Sequence, residues 1–95
     1  MNMIKSFKNG LAESIWQRKR IKGFPSDLFK TARRKLGLIE DAVELNDLRI
    51  PPGNCLEALR GDRTGQHSIR INDQWRVCFR WFDGHALDVE ITDYH

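Results

Sequence analysis

The chain has 95 residues, of which 40% are hydrophobic and 31% are charged, and its net charge is +3. This composition is typical of one small globular domain, which we expect to span residues 1–95, and it excludes a disordered chain. No apolar run approaches the roughly 20 residues that cross a bilayer, and the first residues lack the apolar stretch of a signal peptide. We therefore expect a cytoplasmic protein with no membrane partner.

The positive charge is concentrated near the N-terminus. Residues 1–36 contain ten Lys or Arg against two acidic residues, a net charge of +8, whereas residues 37–59 contain five acidic residues against one arginine. A basic region of this kind favours a polyanionic partner such as nucleic acid. An ordinary solvated helix surface explains the charge equally well.

The N-terminal third predicts a short strand followed by two helices. "MIKSF" alternates apolar and polar residues, as a strand does, while Leu11, Ile15 and Trp16 have helical spacing. Gly23 and Pro25 separate this first helix from the second.

The second helix is predicted to run from Ser26, a suitable N-cap, to about Asp41. Its apolar residues recur every three or four positions and form one stripe, which consists of Leu28, Ala32, Leu36, Ile39 and Val43. Gly37 lies within the helix, and the stripe continues in phase beyond it.

The remainder of the chain predicts turns and an antiparallel sheet. "PPGN" and "GDRTG" have the composition of turns on either side of a possible short strand, "CLEAL". "HSIRI", "WRVCFRW" and "ALDVEIT" alternate as strands do, and "FDG" suits a three-residue hairpin loop. That loop would pair Val77 with Val89 and Trp75 with Ile91. The predicted fold is α+β, with an N-terminal strand and two helices packed on one face of a C-terminal antiparallel sheet.

The opposite face of the sheet would remain open and rich in arginine. In this register Arg76 faces Glu90 and points toward the end of the chain, and arginine suits phosphate oxygens better than lysine does. Arg70 and Arg80 share this face, where they either bind RNA or form ordinary cross-strand ion pairs. Cys55 and Cys78 suit reduced thiols, and the three histidines lack the spacing of a metal site, so we expect no metal and no cofactor.

The last three residues, Asp93, Tyr94 and His95, bring a carboxylate, a phenol and an imidazole to one place. Cleavage of RNA by its own 2′-hydroxyl needs a base, an acid and fixed positive charge beside the phosphorus. His95 can serve as base or acid near neutral pH, and Tyr94 can orient the hydroxyl or stack on a base. A frayed strand end is the competing interpretation of these residues taken alone.

The run "LNDLRIPPGNCLEALRGDRTGQHSIRINDQWRVCFRW", followed by "DVEITDYH", closely resembles the HigB toxins of the RelE/ParE superfamily. This resemblance covers nearly the whole chain and implies a compact α+β toxin that cleaves mRNA in the ribosomal A site. It also implies three partners: a HigA-type helix-turn-helix antitoxin, the 70S ribosome with its mRNA and 16S rRNA, and operator DNA bound through the antitoxin complex.

The resemblance also implies site residues. At the matching positions the catalytic group would consist of Asp93, Tyr94, His95, Arg76 and Arg60. Some relatives have a histidine where this chain has Glu57, so either Glu57 replaces that base or His95 works alone. Cys55 stands where a basic residue is expected. Candidate rRNA contacts are Arg18, Lys19, Arg20, Arg33 and Arg34, with a solvated helix surface as the alternative.

Two other functions share this fold. A toxin-like protein with little or no nuclease activity could act as antitoxin partner and corepressor of its operon, and the Glu57 departure favours that interpretation. The gyrase-inhibiting ParE branch of the superfamily lacks the terminal Asp-Tyr-His group, so the sequence argues against it.

Overall fold

The computed structural model describes residues 3–19 and 21–93. Within these residues it contains two α-helices, α1 (Gly10–Trp16) and α2 (Phe29–Asp41). Four strands follow, namely β1 (Glu57–Ala58), β2 (Gln66–Arg70), β3 (Trp75–Phe82) and β4 (His85–Asp93). Short 3₁₀ helices occupy Ser26–Leu28, Leu45–Arg49, Pro52–Asn54 and Gly61–Arg63. The predicted α+β class is confirmed, and no described helix is long and apolar enough to cross a membrane.

The four strands form one antiparallel sheet in the order β1-β2-β3-β4. The predicted N-terminal strand lies parallel to the outer edge of β4 and is joined to it by two isolated bridges, Ile4 with Ala86 and Phe7 with Val89. Backbone hydrogen bonds hold it there, including that from Lys5 N to Ala86 O at 2.8 Å. The chain's first segment therefore covers a sheet edge that would otherwise be exposed.

Both helices pack on one face of the sheet. Asn9 caps α1, since its Oδ1 accepts from Ala12 N at 3.1 Å while its Nδ2 donates to Ile91 O on β4 at 3.1 Å. Three residues of the predicted α2 stripe are fully buried, and they meet the inner face of the sheet in the core. These are Ala32, Leu36 and Ile39.

Two details of the predicted second helix are wrong. Ser26 does not cap α2, because it begins a 3₁₀ turn and the α-helix starts at Phe29. Val43 is 67% exposed, because the helix ends at Asp41 and the extended Ala42 takes the following residues out of the helical spacing of the stripe.

The predicted register of the β3–β4 hairpin is also wrong, by two residues. The loop has only two residues, Asp83 and Gly84, and both have positive φ (52° and 78°), as a type I′ turn requires. Asp88, with φ 52°, is an extra residue in β4 at the point where the pairing with β3 shifts. Its N–H donates to Ser6 Oγ at 2.9 Å on the N-terminal segment.

In the observed pairing, the residues at the start of β3 lie opposite residues two positions further along β4 than predicted. Val77 faces Ile91 and Trp75 faces Asp93, and Arg76 therefore faces Thr92 instead of Glu90. Because the turn and the bulge each shift the register by one residue, Val89 and Ile91 remain on the core face, as predicted. Before the bulge the alternation is reversed: Ala86 is buried, whereas Leu87 lies opposite Arg80.

Candidate active site

The face of the sheet that points away from the helices, here called the outer face, is not open at its centre. A row of paired residues crosses the four strands and consists of Glu57, Ser68, Cys78 and Glu90. Ser68 and Cys78 are fully buried in the middle of this row. Arginine side chains lie on this face of the sheet, and these arginines form the candidate site.

Arg76 is fixed on the outer face by three elements. Its Nε donates to Ser68 Oγ at 2.9 Å, its Nη2 donates to Cys55 O at 2.8 Å, and its Nη1 lies 3.8 Å from Glu57 Oε1. Only 16% of the side chain is exposed, whereas 49% of the Glu57 side chain is. Two hydrogen bonds therefore orient the guanidinium before any ligand arrives, which is what electrostatic stabilisation of a reacting group requires.

The Cys55 carbonyl that holds Arg76 is itself positioned by a buried network. Asn54 is completely buried; its Oδ1 accepts from Lys35 Nζ at 2.5 Å, and its Nδ2 donates to Leu48 O at 3.1 Å. Cys55 then turns the chain in the left-handed conformation, with φ 48°. Burial is the main cause of the lowered pKa of Lys35. A lysine on α2 thus anchors the loop that holds Arg76.

Arg63 is a second site arginine, and the sequence interpretation did not single it out. Its Nη1 donates to Gln66 Oε1 at 3.0 Å and forms an ion pair with Glu90, whose side chain is 10% exposed. Lys8 Nζ lies 3.9 Å from the same Glu90 oxygen. Strand alternation could not identify Arg63, because it lies in the 3₁₀ turn Gly61–Arg63 and not in a strand. The signal in the sequence was that every cation between residues 60 and 81, Arg63 included, is arginine and none is lysine.

Cys78 lies between Ser68, which accepts from Arg76, and Glu90, which pairs with Arg63. Burial raises the pKa of its thiol to about 11, and this outweighs the opposing influence of Arg63, Arg76 and Lys8. The thiol is therefore neutral near pH 7. A neutral, buried floor beneath two guanidinium groups is suited to hold an anion such as a phosphate.

The other predicted outer-face arginines pair with aspartates, although Arg70 lies directly opposite Arg76 in the sheet. Arg70 pairs with Asp73, and Arg80 Nε lies 3.7 Å from Asp88 Oδ2 with both side chains about half exposed. The Arg80–Asp88 contact is a cross-strand pair of the kind that the sequence left open, whereas Asp73 lies three residues after Arg70 in the same segment; RNA binding by Arg70 and Arg80 stays a prediction. Arg60 is exposed and precedes the 3₁₀ turn that ends at Arg63.

The end of β4 brings the chain to this site. Thr92 faces Arg76, and Asp93 Oδ2 accepts from Gln74 Nε2 at 2.8 Å. The two remaining predicted catalytic residues, Tyr94 and His95, lie outside the described residues.

The predicted rRNA-binding arginines are on the helix side of the molecule. Arg18, Lys19 and Arg34 are exposed, whereas Arg33 lies with its guanidinium carbon 4.7 Å from the centre of the Trp16 ring. Arg20 lies outside the part of the chain that the structure describes. The helix surface is thus separate from the outer-face site.

The fold is shared with solved structures of YafQ from E. coli. The crystal structure of a histidine-to-glutamine variant of YafQ matches with a TM-score of 0.65 and 12% identity, over 98% of this chain and 93% of that chain. YafQ from E. coli strain BL21(DE3) matches over the same shares with a TM-score of 0.55. At this identity the likeness concerns the fold alone.

Sequence comparison identifies the family. The family model for the RelE-like toxin of type II toxin-antitoxin system HigB matches residues 5–95. Toxin HigB-1 of Vibrio cholerae is 41% identical over 93 residues, which are 97% of this chain and 98% of that protein. Endoribonuclease HigB of Proteus vulgaris is 31% identical over 93 residues, 98% of this chain and 100% of that protein. The chain belongs to the HigB family of RelE-like toxins, and a type II system implies an antitoxin partner.

Proposed function

We propose that this protein is a ribosome-dependent endoribonuclease that cleaves mRNA in the A site and thereby inhibits translation. The observation that carries the proposal is the pair of anchored arginines, Arg63 and Arg76, above the neutral Cys78 floor. The similarity to Endoribonuclease HigB of Proteus vulgaris, which extends over 98% of this chain, supports the same reaction class.

In the proposed reaction the 2′-oxygen of one nucleotide bonds to the adjacent phosphorus while the bond to the 5′-oxygen of the next nucleotide breaks. A base takes the hydroxyl proton, and an acid supplies a proton to the leaving oxygen. We assign one of these roles to His95 and the other to Glu57, whose Oε1 lies 3.8 Å from Arg76 Nη1. Tyr94 and Asp93 position the RNA.

The two arginines supply the charge in this scheme. Arg76 and Arg63 meet the negative charge that develops on the phosphorane, and Arg60 adds exposed charge beside them. The chain's own groups thus provide base, acid and cation, so the proposed reaction uses neither a metal nor a cofactor.

We further propose a site of action and a set of partners for the protein. One toxin domain over residues 1–95 acts in the cytoplasm on the 70S ribosome, with basic helix residues against the 16S rRNA. A HigA-type antitoxin inhibits it, and the complex of the two binds operator DNA and represses the operon. Ribosomal RNA is a polyanion, so a +8 N-terminal region suits this partner.

Induced expression tests the proposal. The wild-type chain should arrest growth and produce new mRNA 5′ ends within A-site codons. Arg76→Ala should lower the cleavage rate by roughly 100-fold or more, since it removes a fixed charge from the transition state. His95→Ala should also abolish cleavage while leaving antitoxin binding intact.

The matched control is Arg49→Ala, which removes an exposed arginine whose Nε donates to Asn46 Oδ1 at 3.0 Å. It should leave arrest and cleavage unchanged. Intact mRNA during arrest, or full cleavage by Arg76→Ala, would refute the proposed function.

A second candidate function rests on Glu57. A carboxylate 3.8 Å from Arg76 partly neutralises the cation that the reaction needs, and the chain would then serve as antitoxin partner and corepressor. In that case expression would not arrest growth, while the complex with the antitoxin would still bind the operator.

A further inference from the structure

An exposed phenyl ring and an arginine lie side by side on the outer face at the hairpin end of β3. Phe79 and Trp81 belong to the core side of this strand, where their ring centroids lie 6.4 Å apart. Strand alternation therefore directs Arg80 and Phe82 to the outer face. Phe82 is 71% exposed, so its ring is free to take up a ligand from solvent.

Two residues of β4 extend this surface. His85 lies directly opposite Phe82, and Leu87 lies directly opposite Arg80. Directly opposed residues of an antiparallel pair project to the same face, so both side chains lie on the outer face. The bulge at Asp88 produces this arrangement, because the residues before it have the reversed alternation. We call Arg80, Phe82, His85 and Leu87 the hairpin patch.

The guanidinium of Arg80 remains available to an anion. It lies beside the chain at Gly65, where an added Cβ would come within 2.9 Å of Arg80 Nη1. Arg80 Nε is also 3.7 Å from Asp88 Oδ2, with both side chains about half exposed. Solvent screens an ion pair of this exposure, so a phosphate can compete with Asp88 for the arginine.

The hairpin patch lies on the same face and the same strand as the candidate active site. Arg76 and Phe82 are both outward-facing residues of β3, six residues apart, which is about 20 Å at about 3.3 Å per residue. Between them, Arg63 reaches across from its turn and donates to Gln66, which lies directly opposite Arg80. Cations therefore continue along the outer face from the candidate active site to the patch.

We infer that the hairpin patch binds an unpaired base of the RNA strand that the candidate active site cleaves, with the base stacked on Phe82 and a neighbouring phosphate on Arg80. Unpaired bases stack on phenyl, imidazole and guanidinium planes, and the arginine supplies the positive charge that the backbone needs. The inference rests on the proposed function and adds a substrate-binding site about 20 Å from the cleaved bond. A protein partner would also cover an exposed phenyl ring, but the run of arginines along the same face favours RNA.

Binding of a non-cleavable RNA tests the stacking contact. The probe is a fluorescent 2′-O-methyl RNA of about 12 nucleotides, and its binding to the full chain is measured by anisotropy over a range of salt concentrations. Phe82→Ala should weaken binding roughly 5- to 150-fold and should leave the salt dependence unchanged, because a stacking surface is lost without any charge. Phe82→Trp keeps an aromatic ring and should bind like wild type.

Arg80→Gln tests the phosphate contact. It should reduce the magnitude of the slope of log affinity against log salt by about 0.7, because one phosphate contact with a single strand is lost. Val43→Ala and Arg49→Gln are the matched controls, since they remove an exposed apolar and an exposed cationic side chain outside the patch. Neither control should change affinity or slope. Thermal unfolding of every variant separates lost folding from lost binding.

A second probe separates stacking from charge. It has the same length and the same backbone but carries no bases. Phe82→Ala should bind this probe like wild type, whereas Arg80→Gln should still reduce the salt slope. An equally large effect of Phe82→Ala on both probes would mean that the ring contacts no base, and would overturn the inference.

The outcomes separate this inference from the proposed function. If Phe82→Ala binds the base-containing probe like wild type while the protein cleaves mRNA, the inference is overturned and the function stands. If Phe82→Ala loses the probe in a protein that never cleaves mRNA, the patch is an RNA site and the function is refuted. A wild-type chain that does not bind the probe at low salt would also overturn the inference. Unchanged RNA binding with lost antitoxin binding would overturn it as well and assign the patch to a protein partner.

Discussion

Replacing Asn54 by alanine should lower the free energy of unfolding more than a substitution at an exposed residue nearby. Asn54 is fully buried and accepts from the Lys35 ammonium at 2.5 Å while donating to Leu48 O at 3.1 Å. The hydrogen bond to a charged donor contributes roughly 1.5–3 kcal/mol and the neutral one about 1 kcal/mol. We therefore expect a loss of about 3 kcal/mol in the free energy of unfolding.

The assay is thermal unfolding followed by circular dichroism. For a domain of this size a loss of 1 kcal/mol lowers Tm by roughly 4–8 °C, so Asn54→Ala should lower Tm by about 15 °C. Asn54→Asp keeps an acceptor for Lys35 and should lower Tm less. Asn46→Ala is the control, because Asn46 is exposed and its Oδ1 accepts from the exposed Arg49.

Asn54→Ala should also lower the activity of the candidate active site. Cys55 follows Asn54 directly, and its carbonyl holds Arg76 at 2.8 Å. At temperatures where Asn54→Ala is still folded, its cleavage rate should therefore fall while Asn46→Ala remains active. A Tm within about 3 °C of wild type would refute the reasoning, since it would mean that the buried ammonium needs no partner from Asn54.

Two further predictions concern stability. Burial lowers the pKa of His67, so the unfolded chain binds a proton at a higher pH than the folded chain does. The free energy of unfolding should therefore fall as the pH drops below about 6.5. His67→Gln should reduce this pH dependence, as measured by urea titrations at pH 5 and 7.5. Cys55→Gly should be about 1–2 kcal/mol more stable than Cys55→Val in the same assay, because φ is 48° and only glycine adopts this conformation without strain. Equal stability of the two variants would contradict this assignment of strain.

Strand alternation located the faces of the sheet but could not set its register. A period of two fixes which side chains share a face, and Ile69, Val77 and Ile91 are buried together as it predicted. The register depends on loop length and bulges, and both were decided by aspartates in the left-handed conformation, Asp83 and Asp88. Asp-Gly at the turn is a two-residue hairpin signal, whereas the bulge needs Ser6 from the other end of the chain.

The candidate site was predictable only where its residues lie in strands. Arg76 was predicted because strand alternation puts it on the outer face, directed toward the residues at the end of the chain. Arg63 reaches the same place from a 3₁₀ turn, and its partners Glu90 and Gln66 come from β4 and β2, so the contact depends on the assembled fold. The dependence of Arg76 on Asn54 and Lys35 has the same character: sequence distances of 22 and 41 residues carry no local pattern.

Each site arginine has a carboxylate neighbour on the outer face: Glu57 lies 3.8 Å from Arg76, and Glu90 forms an ion pair with Arg63. Two guanidinium groups over one buried thiol would repel each other in the free protein, and these acids offset that repulsion. The two acids differ in exposure, 49% for the Glu57 side chain and 10% for that of Glu90. Solvent screens Glu57 more strongly than it screens Glu90, so an arriving phosphate competes more easily for Arg76. The buried Glu90 pair is better suited to keep Arg63 in place while Arg76 meets the ligand.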